Sequence, residues 1–361
     1  MPDAAQRGPM LWSGTIAAAG PNGAFDADPE AQMRQAFANA RTLLERHGGS
    51  PEEVGSVVVY IADQSQRAHI NDAWLELFPT DHDRPARRTT QVQMPAGQFV
   101  QLQLTAVRGA RRRELSVPGI AHRDPIPFGV ALGDVVFSSG ITGQDPASGE
   151  FGATADEQLG LCLNNMRLLV EAAGGTLANV AHVWTFMKDR ADQQRLVDAW
   201  VRAFPTDGQR PARKTIRYDL AGNQAFQLQM TAVLGERKNF EIPGIGHHDP
   251  IPMGTLTGGL FMTSGIGGYD PGPGVGILRE GLQAQTRAAV DNLAALCATA
   301  GGRLQDIGHV TAMIRSFDDA STVERELAAR LPDASLHFTT LGLPGEGMEV
   351  QLHAAGCVSA R

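Results

Sequence analysis

The chain has 361 residues, more than one hydrophobic core usually supports, so two or three domains are expected. With 42% hydrophobic and 19% charged residues it is composed like an ordinary soluble globular protein rather than a disordered or membrane one. A formal net charge of −8 argues against nucleic acid as the main partner, because phosphate binding needs a concentrated positive field.

Residues 10–14 read as a short apolar strand ending in a Ser13-Gly14 turn. Residues 29–46 carry Met33, Phe37, Ala40 and Leu44 at helical spacing, with Gly48-Gly49 as a stop signal, and predict an amphipathic helix. Residues 57–61 read as a buried strand and residues 67–78 as a second helix, stopped by Pro79. Two strands over 89–94 and 99–107 are expected to form a hairpin through Pro95-Ala-Gly97. The order strand, helix, strand, helix, strand, strand predicts an α+β layer with both helices on one face of a sheet.

The pattern then repeats. Arg84-Pro-Ala-Arg-Arg-Thr89 returns as Arg210-Pro-Ala-Arg-Lys-Thr215, an offset of 126 residues (213 − 87). Ser13-Gly14 is matched with Ser139-Gly140, Gln32 with Gln158, Asn39 with Asn165, and Gln101 with Gln227. A third copy keeps Gln285 and Asn292 but replaces the Pro-Ala-Arg phrase with Pro332-Asp-Ala-Ser-Leu-His337, leaving no arginine at Ser335 or Leu336. A linker occurs twice, from Val117 to Pro127 and from Ile242 to Pro252, each followed by an added strand that the first copy lacks. The expected domains are 1–110 (repeat 1, without its first strand), 111–236 (linker and repeat 2) and 237–361 (linker and degenerate repeat 3). The basic run from Arg108 to Arg113 reads as a solvated inter-domain linker.

Cys162, Cys297 and Cys357 are odd in number and lack metal-type spacing, so neither a disulfide framework nor a metal site is expected, and a cytoplasmic location fits best. No apolar stretch approaches the roughly 20 residues that span a bilayer, and no signal-peptide pattern opens the chain. Neither membrane nor nucleic acid is expected as a partner.

These phrases carry a resemblance. An apolar strand ending Ser-Gly, Gln and Asn seven apart on a helix followed by Gly-Gly, then Pro-Ala-Arg, here in Pro-Ala-Arg-Arg-Thr and Pro-Ala-Arg-Lys-Thr, and an alternating last strand, is similar to the YjgF/YER057c/UK114 (RidA) family. The resemblance implies three chorismate-mutase-like α+β domains arranged as an intramolecular pseudo-trimer, with ligand clefts between repeats. It implies that Arg87 and Arg213 grip a substrate carboxylate, as a guanidinium's paired donors suit. Ser13, Ser139 and Ser264 would line the clefts, and Asn71 matches a family asparagine that Val197 and Glu324 do not keep.

Two departures stand out. The family's water-activating glutamate is replaced by Gln101, Gln227 and Gln351, and its cleft tyrosine by Ile126 and Ile251. An amide can orient water but cannot take its proton at neutral pH. A histidine is therefore sought: His122 with Asp124, His247 with Asp249, or His353 with His337, Glu349 and Gln351 in repeat 3. Asp124 and Asp249 could equally fix the turn before Pro125 and Pro250.

The expected function is a hydrolase or deaminase acting on a C–N bond of a small carboxylate-bearing metabolite, without cofactor. Gln227 or Gln101 would orient water, and the chain would act as a monomeric pseudo-trimer that could associate further. A chorismatase-like lyase or hydrolase and a non-catalytic ligand-binding module are the alternatives.

Overall fold

In the computed structural model, which describes residues 1–343 and 345–358, the chain folds into three sheet-and-helix units. Each unit carries two helices: α1 (Pro29–Arg46) and α2 (Ile70–Leu77), α3 (Ala155–Ala172) and α4 (Gln193–Ala203), α5 (Leu282–Thr299) and α6 (Ala320–Ala328). Asp28 caps α1 by accepting from the Glu30 N–H, and Thr154 with Glu157 forms a capping box on α3. The apolar stripe Met33, Phe37, Ala40, Leu43 and Leu44 of α1 is buried against the first sheet, each larger side chain contributing roughly 1.5–3 kcal/mol. No helix among the described residues is long and apolar enough to cross a membrane.

The expected hairpin does not form. In the first sheet, Val54–Ile61 runs between Ala86–Gln91, to which it is parallel, and Val100–Val107, to which it is antiparallel. Its run of valines suits a strand flanked on both sides, and α2 supplies the crossover that a parallel pair requires. The other units repeat this: Val180–Met187 lies between Ala212–Arg217 and Phe226–Val233, and Ile307–Ile314 between Ser335–Thr339 and Val350–Cys357. Arg87 and Arg213 therefore sit within strands rather than ahead of them.

Repeat 1 also has the first strand it was expected to lack. Ala4–Arg7 pairs with Met10–Ser13 as Gly129–Leu132 pairs with Val135–Ser138. Its Ala-Ala-Gln-Arg sequence has no β-branched residue to announce it. The further strands Arg112–Leu115 and Arg237–Phe240 lie in segments read as linker. Arg112, far from being solvated, is buried and donates to the Pro51, Val54 and Asp83 carbonyls of repeat 1. Arg237 does the same to Leu177, Val180 and Gln209 of repeat 2.

The inner faces of the three sheets meet in a shared core that includes Met10, Trp12, Phe137, Val233, Leu260 and Met262. This places the repeats in a ring, the pseudo-trimer. Gly119 positions the first linker: its φ is +82°, and a Cβ there would lie 1.7 Å from the Pro146 carbonyl oxygen. Gly119→Ala is expected to cost about 2 kcal/mol or more, whereas Gly109→Ala, at φ +76° with open space, should cost only about 1–2 kcal/mol of left-handed strain. Urea denaturation of both variants checks this ordering.

Candidate functional site

Strand alternation sends Arg87 and Arg213 to the helix side of their sheets and Arg88 and Lys214 to the opposite side, against the next repeat. The Arg213 guanidinium is fully buried over the Trp200 ring, 4.6 Å from its centroid, and Nη2 pairs with Asp249 from the linker of repeat 3. Gln193 Nε2 donates to the same carboxylate at 2.8 Å. Nε and Nη1 of Arg213 have no hydrogen-bond partner among the described residues. Between repeats 1 and 2, Arg87 over Trp74 pairs with Asp124 at 3.0 Å, Arg67 reaches the same carboxylate at 2.7 Å, and Asn71 joins the group by accepting from Arg87 and donating to Asp124. Burial alone would raise Asp124, but the Arg87 and Arg67 charges hold it below the usual carboxylate range. The two linker aspartates are thus ion-pair partners of the arginines across the repeat boundary.

Beside each arginine is a second polar contact. Arg88 Nη1 donates to Gln227 Oε1 at 3.2 Å, and the Lys214 ammonium donates to Gln351 Oε1. Among the described residues the amide nitrogens of Gln227 and Gln351 have no acceptor, so each can donate to a ligand. Gln101 differs, bonding Gln98 within its own repeat.

His122 and His247 are half-buried next to the aspartates, each with a buried Nε2 that has no partner among the described residues. Burial pulls both down to about 4, outweighing Asp124 and Asp249, so both are neutral imidazoles at physiological pH. His353 does not join a cleft. It faces the centre of the ring, 4.5 Å from His182 and 4.7 Å from Trp184, lining a central cavity of about 120 Å³.

The serines serve the backbone. Ser139 Oγ accepts from the Arg87 N–H at 3.0 Å and donates to the Pro127 carbonyl at 2.7 Å, and Ser264 does the same with Arg213 and Pro252. Both hydroxyl protons are spent stapling neighbouring repeats, so neither serine has one left to donate to a reacting atom. Ser13 is not their counterpart: its Oγ accepts from Leu104 N–H, as Ser138 accepts from Met230. The equivalence is Ser13 with Ser138, an offset of 125 (138 − 13), and Gly14 takes the place of Ser139.

Between repeats 2 and 3 these groups line a cavity of about 920 Å³ with Arg213, Lys214, His247, Asp249 and Gln351 in its wall. Arg190, Arg217 and Arg315 add to the wall, so cations outnumber Asp249 and Glu346. The cavity suits a small anion.

The sequence pattern of the Endoribonuclease L-PSP family matches residues 4–107 and 126–233, more than half of the chain. The chain belongs to this family. The endoribonuclease L-PSP family is the RidA/YjgF family of the resemblance above. A RutC family protein of Saccharolobus solfataricus is 32% identical over 93 residues, 26% of this chain and 72% of that protein. A RutC family protein of Sinorhizobium fredii is 36% identical over 69 residues, 19% of this chain and 55% of that one. Among solved structures, a chorismatase matches 85% of this chain and 93% of its own with a TM-score of 0.60 at 17% identity, a likeness of fold.

The family's helix motif is structural here. Gln158 donates to the Gly152 and Asn223 carbonyls and accepts from Ala225 N–H, while Asn165 donates to Thr142 and Gln144. Gln285 and Asn292 repeat these bonds in the third unit, fixing the loops beside the cleft. Sequence reasoning passed over Lys214, Arg88 and Gln193. The variable residue after Pro-Ala-Arg was the available signal for the first two; none pointed to Gln193.

Proposed function

We propose that the cleft between repeats 2 and 3 hydrolyses a C–N bond, of imine or enamine type, in a small carboxylate-bearing metabolite. The observation that carries this reading is the convergence of Arg213, His247 and Gln351 on one cation-rich cavity. Arg213 Nη1, which has no partner, receives the substrate carboxylate. Gln351, its oxygen held by Lys214, donates through Nε2 to the atom being displaced. His247 accepts a proton from water at Nε2, the role an amide cannot fill. The cleft between repeats 1 and 2 keeps Arg87, His122 and Gln227 in the same order, with Asn71 and Arg67 added around Asp124.

An RNA substrate, which the family description would suggest, fits less well, since the chain carries −8 and the cavity has small-molecule size. The likeness to chorismatase is one of backbone and does not choose the reaction. Ammonia release from freshly generated 2-imino acids, measured against a buffer blank with chorismate hydrolysis assayed in parallel, decides between them. The expected result is release above the blank, lowered about 100-fold in His247→Gln. No release above the blank removes the C–N hydrolase reading.

A further inference from the structure

We propose that Lys214 is a nucleophilic amine that carries the substrate carbon as a covalent imine in the cleft between repeats 2 and 3, an inference that rests on the hydrolase reading of that cleft. Lys214 lines the cavity yet is only 6% exposed, and among the described residues its Nζ is bonded to a single acceptor, Gln351 Oε1, and to no carboxylate. A carboxylate at position 351 would hold the amine as ammonium, whereas an amide leaves the lone pair within reach of a proton loss. The surroundings favour the same form. Arg213 shares the cavity wall, its charge only partly offset by Asp249, and His247 and His353 are neutral neighbours. Burial accordingly draws the amine down to about 7, so a large fraction is free base at neutral pH.

The equivalent positions in the other repeats cannot do this chemistry. Arg88 is a guanidinium stacked 3.0 Å from the Phe186 ring centroid, and His337 is an imidazole stacked on Tyr60 at 4.4 Å and bonded to Thr15. Neither is a primary amine. Covalent capture is therefore confined to one of the three seams.

The step balances without any oxidant or reductant. The Nζ lone pair forms a bond to the imine carbon of a 2-imino acid, two protons pass in turn from Nζ to the departing nitrogen, and the old C–N bond breaks to release ammonia. A lysine-bound imine remains. Water adds to the same carbon, giving one proton to His247, which passes it on to Nζ; the second proton of the water follows to Nζ as the Nζ–carbon bond breaks, returning the free amine and a 2-oxo acid. Nucleophilic attack by Lys214 thus takes the place of water activation in the first half of the reaction.

The last half-step run backwards supplies the test, because a 2-oxo acid and the amine must form the same imine. The chain has only three lysines, Lys188, Lys214 and Lys238, which makes the readout clean. The full chain is incubated with pyruvate, reduced with cyanoborohydride and digested for peptide mass spectrometry. One carboxyethyl group on Lys214, in excess over Lys188, Lys238 and the N-terminal amine, is the expected result, with Lys238→Arg labelled as wild type and Lys214→Arg unlabelled. No label, or label spread evenly over the three lysines, overturns the proposal. Ammonia release separates it from the reading beneath it: undiminished release by Lys214→Met removes the covalent step and keeps the hydrolase, whereas labelled Lys214 without ammonia release keeps the imine and removes the hydrolase.

Discussion

Arg213→Ala is expected to cost about 3 kcal/mol of folding stability and Arg87→Ala only about 1–2 kcal/mol, although the two arginines occupy equivalent positions. The difference lies in what each leaves behind. Asp249 loses its only charged partner among the described residues and keeps one amide donor, Gln193. Asp124 keeps the Arg67 guanidinium at 2.7 Å and the Asn71 amide. Loss of the stacked guanidinium from Trp200 or Trp74 is common to both and cancels in the comparison. Adding Asp249→Leu to Arg213→Ala should recover part of the loss, since it removes the stranded carboxylate. Urea titrations of the three variants and the wild type test this, and equal costs at the two seams would refute the assignment of the aspartates.

Acid should unfold this protein well above the pH at which carboxylates titrate. Burial depresses six histidines: His182 and His337 to about 3, His122 and His247 to about 4, and His309 and His353 well below their ordinary value. Below about pH 6.5 the unfolded chain binds protons that the folded chain refuses, so stability falls as pH falls. The histidine contribution is level above about 6.5, and each histidine's loss ends at its folded value. One such group costs up to about 1.4 kcal/mol per pH unit, so even two acting independently remove about 3 kcal/mol between pH 6 and 5. His353→Gln, which installs the residue that Gln103 and Gln229 supply in the other repeats, should reduce the slope by one proton. A stability profile that stays flat from pH 7 to 5 would contradict this.

The fold was legible because the motif residues are themselves architectural. Gln32, Gln158 and Gln285 each tie a helix to two loops, so a pattern that names the family also dictates the backbone. What the sequence hid was pairing between distant segments. Nothing in residues 86–107 says that Val54–Ile61 will come between the two later strands. The Ser-Gly phrase misled by one residue, because Ser138-Ser139 offers two serines and only hydrogen bonding tells which one matches Ser13. In the site, Arg87, Arg213 and Asn71 were found by position, while the destination of Asp124 and Asp249 was left between a turn and a catalytic pair. Their ion pairs span 37 residues (124 − 87) and 36 residues (249 − 213), which no local rule anticipates.

One slot in the last parallel strand holds Arg88, Lys214 and His337 in the three repeats, each aimed across a seam. Burial sets their proton affinities in a descending series of about 9, about 7 and about 3. At neutral pH the same backbone position therefore carries a full charge, a fractional charge and none. Three identical subunits could present only one of these values at all three boundaries. By joining the copies covalently, the chain replaces one repeated boundary with three of graded charge.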